Sequence, residues 1–96
     1  MKSIQKAPLF SLGQIVATPG ALAALRKADQ QPGEFVCRHV TGDWGELPTE
    51  DRLENLYSLE HGFRLLSSYR TNANERVWVT TEADRSATTL LLPEEY

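Results

Sequence analysis

The chain has 96 residues, 41% hydrophobic and 24% charged, with a net charge of −3; this describes one globular domain, residues 1–96, with a modest core. The mild acidity disfavours a general nucleic-acid binder, and it is too small to make a DNA mimic on charge alone. Cys37 is the sole cysteine, so no disulfide forms within the chain; no apolar run nears the roughly 20 residues of a membrane span, and the basic segment 1–6 lacks the apolar stretch of a signal peptide. A cytoplasmic protein without a membrane partner is expected.

Residues 14–17 read as a short strand after Gly13. Thr18 then suits a helix N-cap and Pro19 the first helical position, where a missing N–H costs nothing. The helix continues over residues 21–29, with Leu22 and Leu25 on one face. The Thr18-Pro19-Gly20-Ala21 start also has the form of an anion site. A plain cap is the favoured reading, because the further glycines and the lysine of a phosphate loop are missing. Residues 30–33 form a loop. Residues 34–40 read as a second strand, with Phe35, Cys37 and His39 alternating against Val36, Arg38 and Val40. Gly42 and Gly45 flank Asp43-Trp44, which marks an ordered turn fixed by Trp44 tucking into the domain edge.

A second helix is expected over residues 49–60, with Thr49 as N-cap, Glu50 and Asp51 in the first turn, and Gly62 as a left-handed C-cap. Leu53, Leu56, Tyr57 and Glu60 share one of its faces, so the apolar stripe is Leu53-Leu56-Tyr57, with Leu59 beside it. Residues 63–70 read as a strand and 71–74 as a four-residue turn. That turn pairs Arg70 with Glu75, Ser68 with Val77, Ser67 with Trp78 and Leu66 with Val79. Residues 77–81 and 87–92 then form a hairpin around the polar turn 83–86, with Thr81 facing Thr88, Thr80 facing Thr89, Val79 facing Leu90, Trp78 facing Leu91 and Val77 facing Leu92. In this register Leu66, Val77, Val79, Leu90 and Leu92 share one face, and Leu65, Tyr69, Trp78 and Leu91 the other, so both faces need cover. Pro93 ends the last strand. The fold class is α+β: an antiparallel sheet of three to five strands, built on a C-terminal meander, with two helices.

The runs GQIVATPGAL (13–22), GDWG (42–45), TEADRS (81–86) with Thr88-Thr89, and LLPEEY (91–96) together resemble a group of small bacterial proteins associated with plasmids and other mobile or integrated elements. The resemblance spans almost the whole chain. It implies a mobile-element setting, with a link to restriction or counter-defence. Some members carry a restriction–modification subunit name, which this chain does not support literally. It has neither a cofactor-binding glycine loop nor the Asn/Asp-Pro-Pro-aromatic motif of a methyltransferase, and it is too short for that domain.

No catalytic constellation stands out and no cofactor is implied. The first expectation is a non-enzymatic interaction module that binds a protein partner or a second copy of itself, through candidate residues Asp43, Trp44, Arg64, Tyr69, Glu82, Asp84 and Arg85. Trp and Tyr are enriched at binding hot spots. A second expectation, a small metal-assisted hydrolase, needs His39, Asp43, Glu82 and Asp84 to converge, although their spacing matches no standard metal motif. A third, less favoured, is nucleic-acid binding through Arg38, Arg64, Arg70, Arg76 and Arg85. Within turn 83–86, Asp84 is expected to accept backbone N–H groups of its own turn. Arg85 is expected to point outward, so that Asp84→Ala is the more destabilising of the two alanine substitutions.

Overall fold

The computed structural model describes residues 7–96; the segment 1–6, with its reading as no signal peptide, lies outside them. The elements run β1 (Gln14–Ala17), α1 (Pro19–Ala28), α2 (Pro32–Val40), α3 (Thr49–His61), β2 (Leu65–Arg70), β3 (Arg76–Thr81), β4 (Ala87–Leu91) and a 3₁₀ turn (Pro93–Glu95). The class is α+β, but the sheet is mixed rather than wholly antiparallel. Its order is β1-β4-β3-β2, with β1 parallel to β4 and the other pairs antiparallel. Among the described residues no helix is long and apolar enough to cross a membrane.

The expected second strand over residues 34–40 is instead most of α2. Pro32 occupies the first turn, and the Glu34 carboxylate accepts the Gln31 N–H at 3.1 Å, which satisfies a donor that a helix start leaves over. Phe35, Val36, His39 and Val40 are buried while Cys37 and Arg38 are exposed. That is helical spacing, and the alternation read from the sequence was a coincidence of a short run.

The hairpin β3–β4 keeps the register expected of it from Thr81↔Thr88 to Trp78↔Leu91, and Val77↔Leu92 falls outside the ladder. The β2–β3 register differs by one residue: Arg70 faces Arg76, Tyr69 faces Val77 and Ser67 faces Val79. Thr71 N–H donates to Glu75 O at 2.8 Å, so the turn tightens to residues 72–74, with Asn74 left-handed at φ 67°. A slip of one residue exchanges the faces of a strand. Leu65, Ser67 and Tyr69 therefore join Val77, Val79, Thr88 and Leu90 beneath the helices, and Leu66 joins Trp78 and Leu91 on the outer face.

Ala21, Ala24 and Leu25 of α1, with Phe35 and Val36 of α2, pack against Tyr69, Val77, Val79 and Leu90 to make the main core. Leu22, placed with Leu25 on one face of α1, is exposed while Leu25 is buried. A second cluster joins Trp44, Leu47 and Leu65 to the partly buried Phe10, Leu59 and Leu66. Beneath α2, His39 is fully buried, with Nδ1 at 2.6 Å from Ser67 Oγ and Nε2 at 2.9 Å from Thr81 Oγ1. Thr81 bonds Thr88 at 2.7 Å, and Thr88 donates to Leu12 O at 2.8 Å. Every member of this buried polar chain has a partner, as burial demands.

At the start of α1, the Glu95 carboxylate receives Thr18 Oγ1–H (2.5 Å), Gly20 N–H (3.2 Å) and Leu92 N–H (2.8 Å). The anion-binding start of α1 is thus filled by the chain's own carboxylate, and the Thr18 hydroxyl foremost holds its pKa below the usual range.

Candidate interaction face

Helix α3 lies along the outer edge of β2, and polar groups fix it there. Asn55 Nδ2 donates to Leu66 O at 2.6 Å and its Oδ1 accepts Leu66 N–H at 3.1 Å. One side-chain amide thereby does the work of a neighbouring strand. Just along the edge, Trp44 O accepts Ser68 N–H at 3.1 Å and Glu46 N–H donates to Ser68 O at 2.7 Å. Gly45 permits this approach: at φ +73°, a Cβ there would sit 2.1 Å from Ser68 O. The edge strand's free backbone groups are covered, which blunts edge-to-edge pairing.

The consequence for α3 is an inverted helix. Its buried residues are Asn55 and Ser58, with Leu59 half-buried. The apolar stripe faces outward, where a helix would ordinarily bury it: Leu53, Leu56 and Tyr57 are 59%, 55% and 52% exposed. Phe63, just beyond the left-handed cap Gly62, is 51% exposed and stacks on Tyr57 at 5.9 Å between centroids, while His61 stacks on Tyr57 at 4.0 Å. Clustered exposure of large apolar side chains, rimmed by polar ones, marks interaction surfaces. Glu50 and Glu54 flank the stripe on one side and Glu60 lies within it; these three and Asp51, which lies toward the outer cleft, are exposed, and no ion pair engages them among the described residues.

The seven sequence-derived candidates fall into two contact groups. Around the 42–45 turn, the Asp43 carboxylate accepts Arg38 Nε–H at 2.7 Å and Gly45 N–H at 3.1 Å. The hydrogen bond to Asp43 holds the Arg38 guanidinium above its ordinary pKa. Trp44 and Tyr69 are buried; Tyr69 donates its hydroxyl to Asp43 O at 2.6 Å, and burial pushes its pKa upward. Around the hairpin tip, Arg64 pairs with Glu82 at 3.5 Å and donates to the Tyr96 hydroxyl. Asp84 accepts Ser86 N–H at 3.0 Å, as expected, and bonds to Ser86 hold its pKa low.

Arg85 is the correction within this group. It does not point outward or meet the 42–45 turn. Left-handed at φ 62° and half-buried, it donates from Nη1 to Phe63 O (2.7 Å), Ala83 O (3.0 Å) and Glu82 O (3.1 Å), and from Nη2 to Ser58 O (3.2 Å). It clamps the hairpin tip to the C-terminal end of α3, where orphan carbonyls favour a cation. Arg85 therefore positions the exposed face from behind.

The convergence that a metal-assisted hydrolase needs is not found. Among the described residues no three His, Cys, Asp or Glu side chains gather as a metal-binding group, and both ring nitrogens of His39 are engaged in the core. The His39–Ser67 pair has the atoms of a base and a nucleophile, but both residues are fully buried, so no substrate reaches them. Burial also lowers the His39 pKa to about 4. The five arginines considered for nucleic acid are each engaged: Arg38 by Asp43, Arg64 by Glu82, Arg70 and Arg76 by Glu46, and Arg85 by carbonyls. On the outer face of the sheet a shallow cleft of about 370 Å³ is lined by Glu46, Leu47, Asp51, Leu66, Arg76 and Trp78.

Sequence reasoning missed Leu53, Leu56, Tyr57 and Phe63 as a surface. The available signal was Glu60, which shares the stripe with Leu53, Leu56 and Tyr57; a stripe bound for the core would not carry an unpaired carboxylate in its middle. No family model, no curated protein and no solved structure matches the chain.

Proposed function

We propose that the chain is a non-enzymatic protein-interaction module that docks through the outward stripe of α3 and the adjoining Phe63. The observation that carries this reading is the inversion of α3, which buries Asn55 and Ser58 while Leu53, Leu56 and Tyr57 stand more than half exposed. A helix normally buries its apolar stripe, and tertiary packing supplies most of its stability. One that exposes the stripe and is held by side-chain bonds to a strand edge is suited to present that stripe to a partner. The resemblance noted above suggests the setting: the cytoplasm of a bacterium carrying a plasmid or integrated element, with a role linked to restriction or counter-defence.

A photo-crosslinking amino acid placed at Leu56, compared with the same group at the exposed Gln31 that caps α2, tests the reading in the host cytoplasm. Discrete protein adducts from position 56 and none from position 31 are expected. Equal labelling from both positions, or none from 56, would overturn it.

A further inference from the structure

The charge around the α3 stripe says what kind of partner fits it. Elsewhere several carboxylates sit beside cations: Glu46 serves Arg70 and Arg76, Asp43 serves Arg38, and Glu82 serves Arg64. None of the α3 carboxylates does. Among the described residues Glu50, Asp51, Glu54 and Glu60 have no ion pair, and the one arginine of the helix, Arg52, is turned back to donate to Leu47 O at 2.9 Å and Gly45 O at 3.1 Å. His61 is tied to Tyr57 O at 3.0 Å. The face is an apolar seam with Glu60 within it and Glu50 and Glu54 along one flank, and no cation pairs with these carboxylates among the described residues.

Resting on the docking reading above, we infer that the occupant of this face is a basic amphipathic helix of another protein, and not a second copy of this chain. Three arguments converge. A second copy would bring its own Glu50, Glu54 and Glu60 against these three, and like charges at close range disfavour that pairing. An anionic bilayer is repelled for the same reason, since interfacial helices carry Lys and Arg on their polar face. An extended strand has nothing to bond, because the backbone of a mid-helix surface is already paired within the helix. A helix laid along α3 answers each requirement. Leu53, Leu56, Tyr57 and Glu60 follow the i, i+3, i+4, i+7 spacing at which two helices interlock. Partner aliphatics would fill the seam, and Lys or Arg of the partner would meet Glu54 on its flank and Glu60 at its C-terminal end.

The test uses two synthetic helical peptides with the same leucine seam, one flanked by lysines and the other by glutamates, titrated against the full chain by fluorescence anisotropy. The lysine peptide is expected to bind at least about tenfold more tightly, a gap of about 1.4 kcal/mol, and to weaken with added salt. Its amide chemical-shift changes should fall on α3 and Phe63. The charge-reversed variant Glu54→Lys/Glu60→Lys should shift the preference to the glutamate peptide. Both substitutions are at exposed positions, and circular dichroism verifies that the fold survives. Equal affinities for the two peptides, or an unchanged preference in the charge-reversed variant, would overturn the inference. So would a dimer in light scattering that Leu56→Asp dissociates. In each of these cases adducts from position 56 would still support docking there. Shift changes away from α3, together with no adducts from position 56, would remove the docking reading as well.

Discussion

Arg85→Ala is expected to lower the free energy of unfolding by about 2 kcal/mol, the worth of one or two hydrogen bonds to a charged group. The guanidinium reaches four carbonyls, yet Nη1 serves three of them with two hydrogens, so two full bonds are the most it can make there, and Nη2 adds one to Ser58 O at 3.2 Å. The side chain is half-buried, so water replaces part of what is lost. The alanine keeps the left-handed backbone of the arginine, φ 62°, and the difference therefore isolates the guanidinium. Arg85→Gly loses the same bonds but relaxes that conformation, and should recover roughly 0.5–1 kcal/mol relative to alanine. Urea denaturation followed at a helical wavelength measures all three chains, and the alanine variant should melt roughly 10 °C lower. If Arg85→Ala lies within about 0.5 kcal/mol of the parent, as an ordinary surface substitution does, the clamp is decorative and α3 is held by other means.

The His39 pKa of about 4 lies below its ordinary 6.5, so between those pH values the unfolded chain takes up a proton that the native chain refuses. Stability should fall as pH drops from 6.5 to 4, by about 3 kcal/mol in total, and stay level above pH 7; urea melts across that range should lose the slope in His39→Gln. Asn55→Leu strands Leu66 N–H and C=O at the sheet edge and should cost about 2 kcal/mol, with faster hydrogen exchange at Leu66, whereas Leu56→Ser should stay within about 0.5 kcal/mol. Gly45→Ala places a Cβ 2.1 Å from Ser68 O and should cost upward of about 2 kcal/mol. Gly33→Ala meets open space inside α2 and should stabilise by up to about 1 kcal/mol, both read from chemical denaturation.

The C-terminal hairpin was legible because its signals are local and agree: threonine rows, aliphatic pairs and a polar turn set one register, and Trp78↔Leu91 through Thr81↔Thr88 all follow. Helix α1 was legible from Thr18 and Pro19, and α3 from its acidic first turn and Gly62. The β2–β3 register was not, because it hangs on whether the turn takes three residues or four, and the Thr71–Glu75 bond that decides it has no signature in the sequence. Helix α2 was obscured by its length; nine residues with Val36 and Val40 fit either period. The outward turn of α3 depends on Asn55 finding the Leu66 backbone, a contact between distant segments that no local pattern encodes. Arg85 was misread for the same reason, since its partners Ser58 and Phe63 belong to another element.

The parallel pairing of β1 with β4 sets an order of events for the nascent chain. Gln14 meets Ala87 and Ala17 meets Leu90, so β1 leaves the ribosome long before the strand it needs has been made. The meander β2–β3–β4 can close from neighbouring segments, while β1 waits on a loop closure spanning most of the described chain. Helix α1 packs on β4 and is latched by Glu95, so it settles at that same late step. In the interval β4 is an edge, with the row of backbone groups later taken by β1 still unpaired. That interval is when neighbouring chains can add to it strand by strand. The four residues Gln14–Ala17 thus close the last open edge of β4, and slow placement of β1 is expected to lower the yield of dispersed protein.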